Sequence, residues 1–362
     1  MAADVWEALE AGWKQVTASS GFIGGSHVRE FEEEWARYCG TAHAVGVANG
    51  TDAIELALRA LGIGPGDEVI VPCNSFVATA EAVVLAGATP RFVDVNAASL
   101  LMTPEVIEAA IGPRTAAVVV VALYGNMPAM DEIARLASAR GLALVEDAAQ
   151  AHGSTWQGKK AGSFGVAGCF SFYPGKNLGA FGDAGAVVTD DEALAERIRS
   201  LGNHGRLAGT SHVHALAGRN SRLDALQAAV LSAKLPRLDD WNQARAAAVA
   251  TYRRLLSPDV QVVGAGDDSG STYHQCVIRV PDRDRVREAL GRAGVETGIH
   301  YPIPCHQQAP YRSFAIGHLP VAEQAAGEIL SLPVFPHISE RQLAYVSSRL
   351  NSILRGPRRH VG

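Results

Sequence analysis

Between residues 44 and 200 the chain alternates short apolar runs with amphipathic ones, and no other feature restricts the fold as strongly. "AVGVA", ending at Asn49-Gly50, "DEVIVP", "TPRFVDV", "AAVVVVALY" and "LALVED" read as strands. "TDAIELALRAL", "SFVATAEAVVLAG", "TPEVIEAAI" and "MDEIARLASARG" carry helical spacing between them, the third opened by Thr103 and Pro104 as cap and first-turn residues. A run such as "AAVVVVALY" has no polar face, so both of its faces must be covered. A mostly parallel central sheet with helices on both faces provides that cover, which makes the chain α/β.

The pattern changes after "AGAVVTD" and the helix "DEALAERIRSLG". Residues 203–222, rich in Gly, His, Asn and Arg, read as a long loop. A helical stretch follows from Asp224 to about Leu256 and contains Pro236, which must bend or break it. From about residue 257 a smaller α/β unit begins, with "HQCVIRV" as a strand and "RDRVREALGRAG" as a helix. The expected division is a large domain over 1–250, on which the N-terminal 43 residues pack, and a small C-terminal domain over 251–362.

Charge narrows the function. A formal net charge of −5 argues against a nucleic-acid partner, and the basic stretch "RGPRRHVG" is short and terminal, as a solvated end would be. Five scattered cysteines, odd in number and without a C-x-x-C, fit a reducing compartment. The longest strongly apolar run, "AAVVVVAL", is too short to cross a bilayer, and the acidic, amphipathic N-terminus is not a signal peptide. A cytoplasmic protein without a membrane partner is expected.

In open parallel sheets ligands bind beyond the carboxyl ends of strands. Gly50-Thr51, Asn74 to Phe76, Tyr124-Gly125 and Asp147 all fall at such ends. Gly50-Thr51-Asp52 joins a strand to a helix, where free N–H groups and the dipole suit a phosphate; a plain helix cap reads equally well there. Asp147 ends "LALVED" beside Glu146, and the two should point to opposite faces. A carboxylate at the end of a buried strand needs a cation or donors, such as a protonated pyridine nitrogen or a structural salt bridge. Gln150 lies three residues on, within reach of the same ligand if a turn starts there. Lys176, in "FSFYPGKNLGA", follows an apolar strand. Burial would lower its pKa and make its amine a nucleophile toward aldehydes, whereas at the surface it would only snorkel. Pyridoxal 5′-phosphate (PLP) offers a phosphate, a pyridine nitrogen and an aldehyde, one for each of these three features.

Rival motifs fail on spacing. Gly175-Lys176 lacks the Ser or Thr a P-loop needs, and Phe170 stands where its first glycine should be. "GIGPG" at 62–66 follows a helix and leads into a strand, the reverse of a dinucleotide loop. "AGSFG" has Ala161 in place of the first glycine of a nucleophile elbow. His300, Cys305 and His306 sit in a proline-broken loop that does not aim them at one metal, so no metal site is expected.

"ANGTDAIELALRALGIGPGDEVIVP", "VEDAAQAHGS", "GCFSFYPGKNLGAFGDAGAVVT" and "GRNSRLDALQAAVL" together resemble the DegT/DnrJ/EryC1/StrS family over residues 20–340. The resemblance implies PLP-dependent transferase fold type I, the aspartate aminotransferase-like fold. It implies a PLP-dependent sugar aminotransferase in which Lys176 holds PLP covalently, with pyridoxamine phosphate as intermediate. It places Asp147 against the pyridine nitrogen, Gln150 near the ring hydroxyl, Phe76 on the ring face, and Gly50, Thr51 and Ser171 on the phosphate. Asn220 would reach that phosphate from the neighbouring subunit of a homodimer with a shared active site, and Arg222 would lie near the same site for substrate. L-Glutamate would be the amino donor, leaving as 2-oxoglutarate, and a nucleotide-linked keto-deoxysugar, dTDP-linked by preference, the acceptor. The ketone could be at C3 or C4. Some relatives with His in place of the lysine are dehydratases; Lys176 favours transamination. Asn49 stands where many relatives carry Ser, which leaves its contact open. A keto-cyclitol acceptor is the nearest alternative, and a non-catalytic PLP- or nucleotide-sugar-binding regulator a further one.

Overall fold

The computed structural model describes residues 5–264 and 269–356. Most of the basic C-terminal stretch lies outside them. Seven strands form the central sheet: β1 (His43–Val47), β2 (Glu68–Pro72), β3 (Thr89–Val93), β4 (Thr115–Val121), β5 (Ala143–Asp147), β6 (Ala167–Ser171) and β7 (Gly185–Thr189). Their order is β1-β7-β6-β5-β4-β2-β3. β6, β5, β4, β2 and β3 run parallel, and β7 lies antiparallel between β6 and β1. The chain is thus α/β with a mostly parallel sheet, as the apolar runs require.

The period of two divides each strand between two cores. Along β4, Ala117, Val119 and Val121 face one core while Val118 and Val120 face the other. The first core is covered by α3 (Gly50–Ala60), α4 (Ala78–Leu85) and α7 (Glu192–Gly202), the second by α2 (Ser26–Cys39), α5 (Pro104–Ala110), α6 (Met130–Ala139) and α8 (Ala225–Lys234). The N-terminal α1 (Trp6–Ser19) packs on α8, where Trp13 Nε1 donates to Leu226 O at 3.2 Å. Pro104 opens α5, but Thr103 supplies only extended backbone there; its side chain does not cap the helix.

Pro236 sits in a 3-10 turn, Leu235–Arg237, that separates α8 from α9 (Leu238–Leu255), because its ring denies the helix an N–H donor. Beyond α9 a second sheet runs β8 (Gln261–Val262), β9 (Cys276–Arg279), β10 (Ile329–Leu332), all antiparallel. Its own core joins Val249 and Tyr252 of α9 to Ile278, Leu330 and the helices α10 (Arg283–Arg292) and α11 (Glu340–Arg355). Among the described residues no helix is long and apolar enough to cross a membrane.

Candidate active site

β5 ends with two buried carboxylates on opposite faces. Glu146 turns away from the site and accepts backbone N–H groups from Gly162, Phe164 and Gly165 at 2.6–2.8 Å. Asp147 turns toward the first core's end of the sheet, where its Oδ2 accepts from Thr79 Oγ1 at 2.6 Å and its Oδ1 from Ala149 N at 3.2 Å. Burial pushes the Asp147 carboxyl above its usual range, and the Lys176 ammonium pulls it back. Lys176 stands in the turn after β6, with its N–H bonded to Tyr173 O at 2.8 Å. Burial pushes its amine down to about 8, with Asp147 opposing the shift.

Both open onto one cavity of about 580 Å³. Gly50, Thr51, Phe76, Gln150 and Ser171 line it with them. So seven of the nine residues picked from sequence converge. Asn220 and Arg222 do not line this cavity: Asn220 is exposed, bridged to Asn203, and Arg222 Nη1 donates to Asn203 Oδ1 at 3.2 Å. A second groove, of about 610 Å³ near Gly294, Phe335 and Tyr345, has no lysine in its wall.

The helix cap at Gly50 is Asn49. Its Oδ1 accepts Asp52 N–H at 2.8 Å, which accounts for the side chain the sequence left open. The amides of Gly50 and Thr51, ahead of the first helical hydrogen bond, remain for an anion at the cavity wall. A Cβ on Gly50 would lie 2.6 Å from Ser171 Cβ, so only glycine lets the helix start close against β6. Phe76 offers a ring 53 % exposed. Gln150 is already engaged at both ends: Oε1 accepts Tyr124 N–H at 2.6 Å and Nε2 donates to Tyr301 Oη at 3.1 Å.

Sequence reasoning missed the wall supplied by Asp183, just before β7, and by the chain beyond α9. Asp183, His274, Gln275, His300 and Tyr301 also face the cavity. Of these only His300 had a signal, as a rejected metal ligand. Its neighbours go elsewhere: His306 Nε2 pairs with Glu323 at 3.0 Å, and Cys305 Sγ reaches Ser75 O at 3.2 Å. Among the described residues no three His, Cys, Asp or Glu side chains gather as a metal site would require.

A mostly parallel sheet with an amine and a buried carboxylate facing one cavity beyond its carboxyl ends is the architecture of the type I PLP-dependent transferases, and here of an aminotransferase. The chain belongs to the DegT/DnrJ/EryC1/StrS aminotransferase family, whose model matches residues 6–351. It is 46% identical over 343 residues to UDP-N-acetyl-3-dehydro-alpha-D-glucosamine 3-aminotransferase of Acidithiobacillus ferrooxidans, covering 94% of this chain and 92% of the relative. It is 45% identical over 337 residues to dTDP-3-amino-3,4,6-trideoxy-alpha-D-glucose transaminase of Streptomyces venezuelae, covering 92% and 88%. The solved structure of S. venezuelae DesV, in complex with a ketimine intermediate, superposes with a TM-score of 0.95 at 42% identity over 99% of this chain and 97% of that one.

Proposed function

We propose that this enzyme moves an amino group from L-glutamate to C3 of a nucleotide-linked 3-keto sugar, using PLP held covalently by Lys176. The observation that carries this is that half-buried Lys176 and buried Asp147 open on the same cavity as the Gly50 cradle. The names of both relatives place nitrogen at C3, one on a UDP-linked and one on a dTDP-linked sugar, so the nucleotide stays open between them.

The residues present fit the cofactor. Gly50, Thr51 and Ser171 would receive its phosphate, Asp147 would face its ring nitrogen, and Phe76 would cover its ring. Gln150 would reach the ring hydroxyl by sharing the amide it now gives to Tyr301. When bound, PLP supplies an aldehyde carbon that exchanges amines and a ring that accepts electrons from the adjoining carbon. The protein does the rest. Asp147, fixed by Thr79 and Ala149, would set its carboxylate against the ring nitrogen and hold a proton there. Lys176 Nζ would take a proton from one carbon and return it to another; a pKa lowered to about 8 suits both near neutral pH. We also propose that a small unit beginning near residue 250 closes the cavity with His274, His300 and Tyr301. We further propose a homodimer in which Asn220 and Arg222 complete the partner's cavity rather than their own.

Replacing Lys176→Ala should abolish turnover and the absorbance of the lysine-bound cofactor; an active variant overturns the assignment. Glutamate should convert bound PLP to pyridoxamine phosphate, which a pure binding protein would not do. A panel of nucleotide keto sugars and keto-cyclitols, read by mass, then fixes the acceptor.

A further inference from the structure

A chain of side-chain amides runs behind Lys176 and ends on a histidine in the cavity wall. Asn242, on α9, donates from Nδ2 to His152 O at 2.8 Å. Its Oδ1 accepts from Asn177 Nδ2 at 2.8 Å, and the same Nδ2 donates to Thr272 O at 3.0 Å. Backbone carbonyls can only accept, so the two carbonyls fix the orientation of both amides. Asn177 Oδ1 is left facing His274 Nδ1 at 3.2 Å. An amide oxygen cannot donate, so Nδ1 must carry the proton. A neutral imidazole carries one, which leaves Nε2 as a lone-pair acceptor on a ring that lines the Lys176 cavity. The ring does stay neutral: burial first, then the Lys176 and Arg245 cations, hold His274 well below the usual histidine range.

We propose that His274 is a positioning residue for Lys176: a small swing of the lysine side chain lets its ammonium donate a hydrogen bond to Nε2 while the lysine is free of the cofactor. The proposal rests on Lys176 being the cofactor lysine. Such an acceptor would keep Nζ at one place between proton uptake and return. It would also stabilise the charged amine against burial. The other groups near Lys176 do not supply this contact. Asp147 is engaged by Thr79 and Ala149, and His152 Nε2 by Ser171 O at 2.9 Å; His300 Nδ1 meets Ser331 Oγ at 2.8 Å, a hydroxyl that can donate or accept and so does not fix the tautomer as Asn177 fixes that of His274. Asp183, Tyr173 and Tyr301 also line the cavity.

The test needs no cofactor. In cofactor-free enzyme, the pH dependence of Lys176 carbamylation by cyanate, read by peptide mass spectrometry, gives the amine's pKa. His274→Phe should lower it by about one unit, which is about ten times more neutral amine at a pH below both values. His274→Gln keeps a carbonyl acceptor and should shift it by less than half as much. An unchanged value in the Phe variant, or equal shifts in both, overturns the proposal. Nitrogen-15 spectra of imidazole-labelled wild-type enzyme should show the His274 Nε2 unprotonated; a protonated Nε2 overturns it without any variant, even if His274→Phe misfolds. If Lys176→Ala keeps the lysine-bound absorbance, the functional assignment fails, while the cyanate titration still reports on the pair.

Discussion

At Gly50 the absence of a side chain is itself a functional feature. An added methyl group would lie 2.6 Å from Ser171 Cβ and 3.2 Å from Ser171 Cα, closer than packed carbons tolerate. Gly50→Ala must therefore push the start of α3 away from β6. Such overpacking costs about 1–3 kcal/mol. The variant should melt earlier in cofactor-free form and bind PLP at least about tenfold more weakly, as followed by a fluorescence titration; unchanged affinity would remove the phosphate seat from this helix end. Lys176 gives a second prediction at this scale. Protonation removes the lone pair that attacks an aldehyde, so loading with PLP should slow as pH falls below about 8 and level off above it. An ordinary lysine would keep gaining rate to about pH 10.4. Stopped-flow loading rates across pH distinguish the two.

At the scale of elements, β5 shows how the period of two separates structure from chemistry. Glu146 and Asp147 are neighbours in the chain, yet one collects three loop amides and the other faces the cavity. Glu146→Gln would set an NH2 group against the Gly162 N–H that Oε2 now accepts. One buried donor would lose its partner, at about 1–3 kcal/mol, so urea unfolding should shift while PLP affinity of the folded variant stays near wild type. A matching loss of affinity would mean that the two faces of the strand are coupled. This much of the fold is legible in sequence, because the unbroken apolar run of β4 demands cover on both faces, neighbours along β5 must point opposite ways, and the break at Pro236 follows from a missing N–H. The insertion of β7 between β1 and β6 is not legible, since strand order depends on long-range pairing that no local pattern records. The same holds for the site. Lys176, Asp147 and Gly50 announce themselves as polar or glycine residues at strand ends. His274 reads as the plain start of a strand, and its fixed tautomer depends on Asn177 and Asn242, which are distant from it in the chain and come together only when α9 packs behind the site.

For the whole molecule, the cavity of one chain lacks two of the residues the family resemblance assigns to it. Asn220 lies exposed in the 203–222 loop, and Arg222 bonds to Asn203 in the same region. Exposed apolar side chains, Phe22, Ile23, Phe181, Leu207 and Val213, suit burial against a second copy. If the sites are shared, two inactive variants should repair each other. Lys176→Ala carries a normal Asn220; Asn220→Asp, which sets a carboxylate against the phosphate, carries a normal Lys176. In a mixed dimer one site then receives both defects and the other receives neither. Random exchange of subunits makes about half of the dimers mixed, so about a quarter of all sites should regain wild-type turnover. If each chain used its own Asn220, every site would keep one defect, and mixing would restore nothing. Glutamate-dependent formation of pyridoxamine phosphate, measured before and after subunit exchange, reads the difference without knowledge of the sugar. Recovery would place Asn220 across the interface; activity that stays at the sum of the two variants, with exchange verified by native mass spectrometry, would confine the site to one chain.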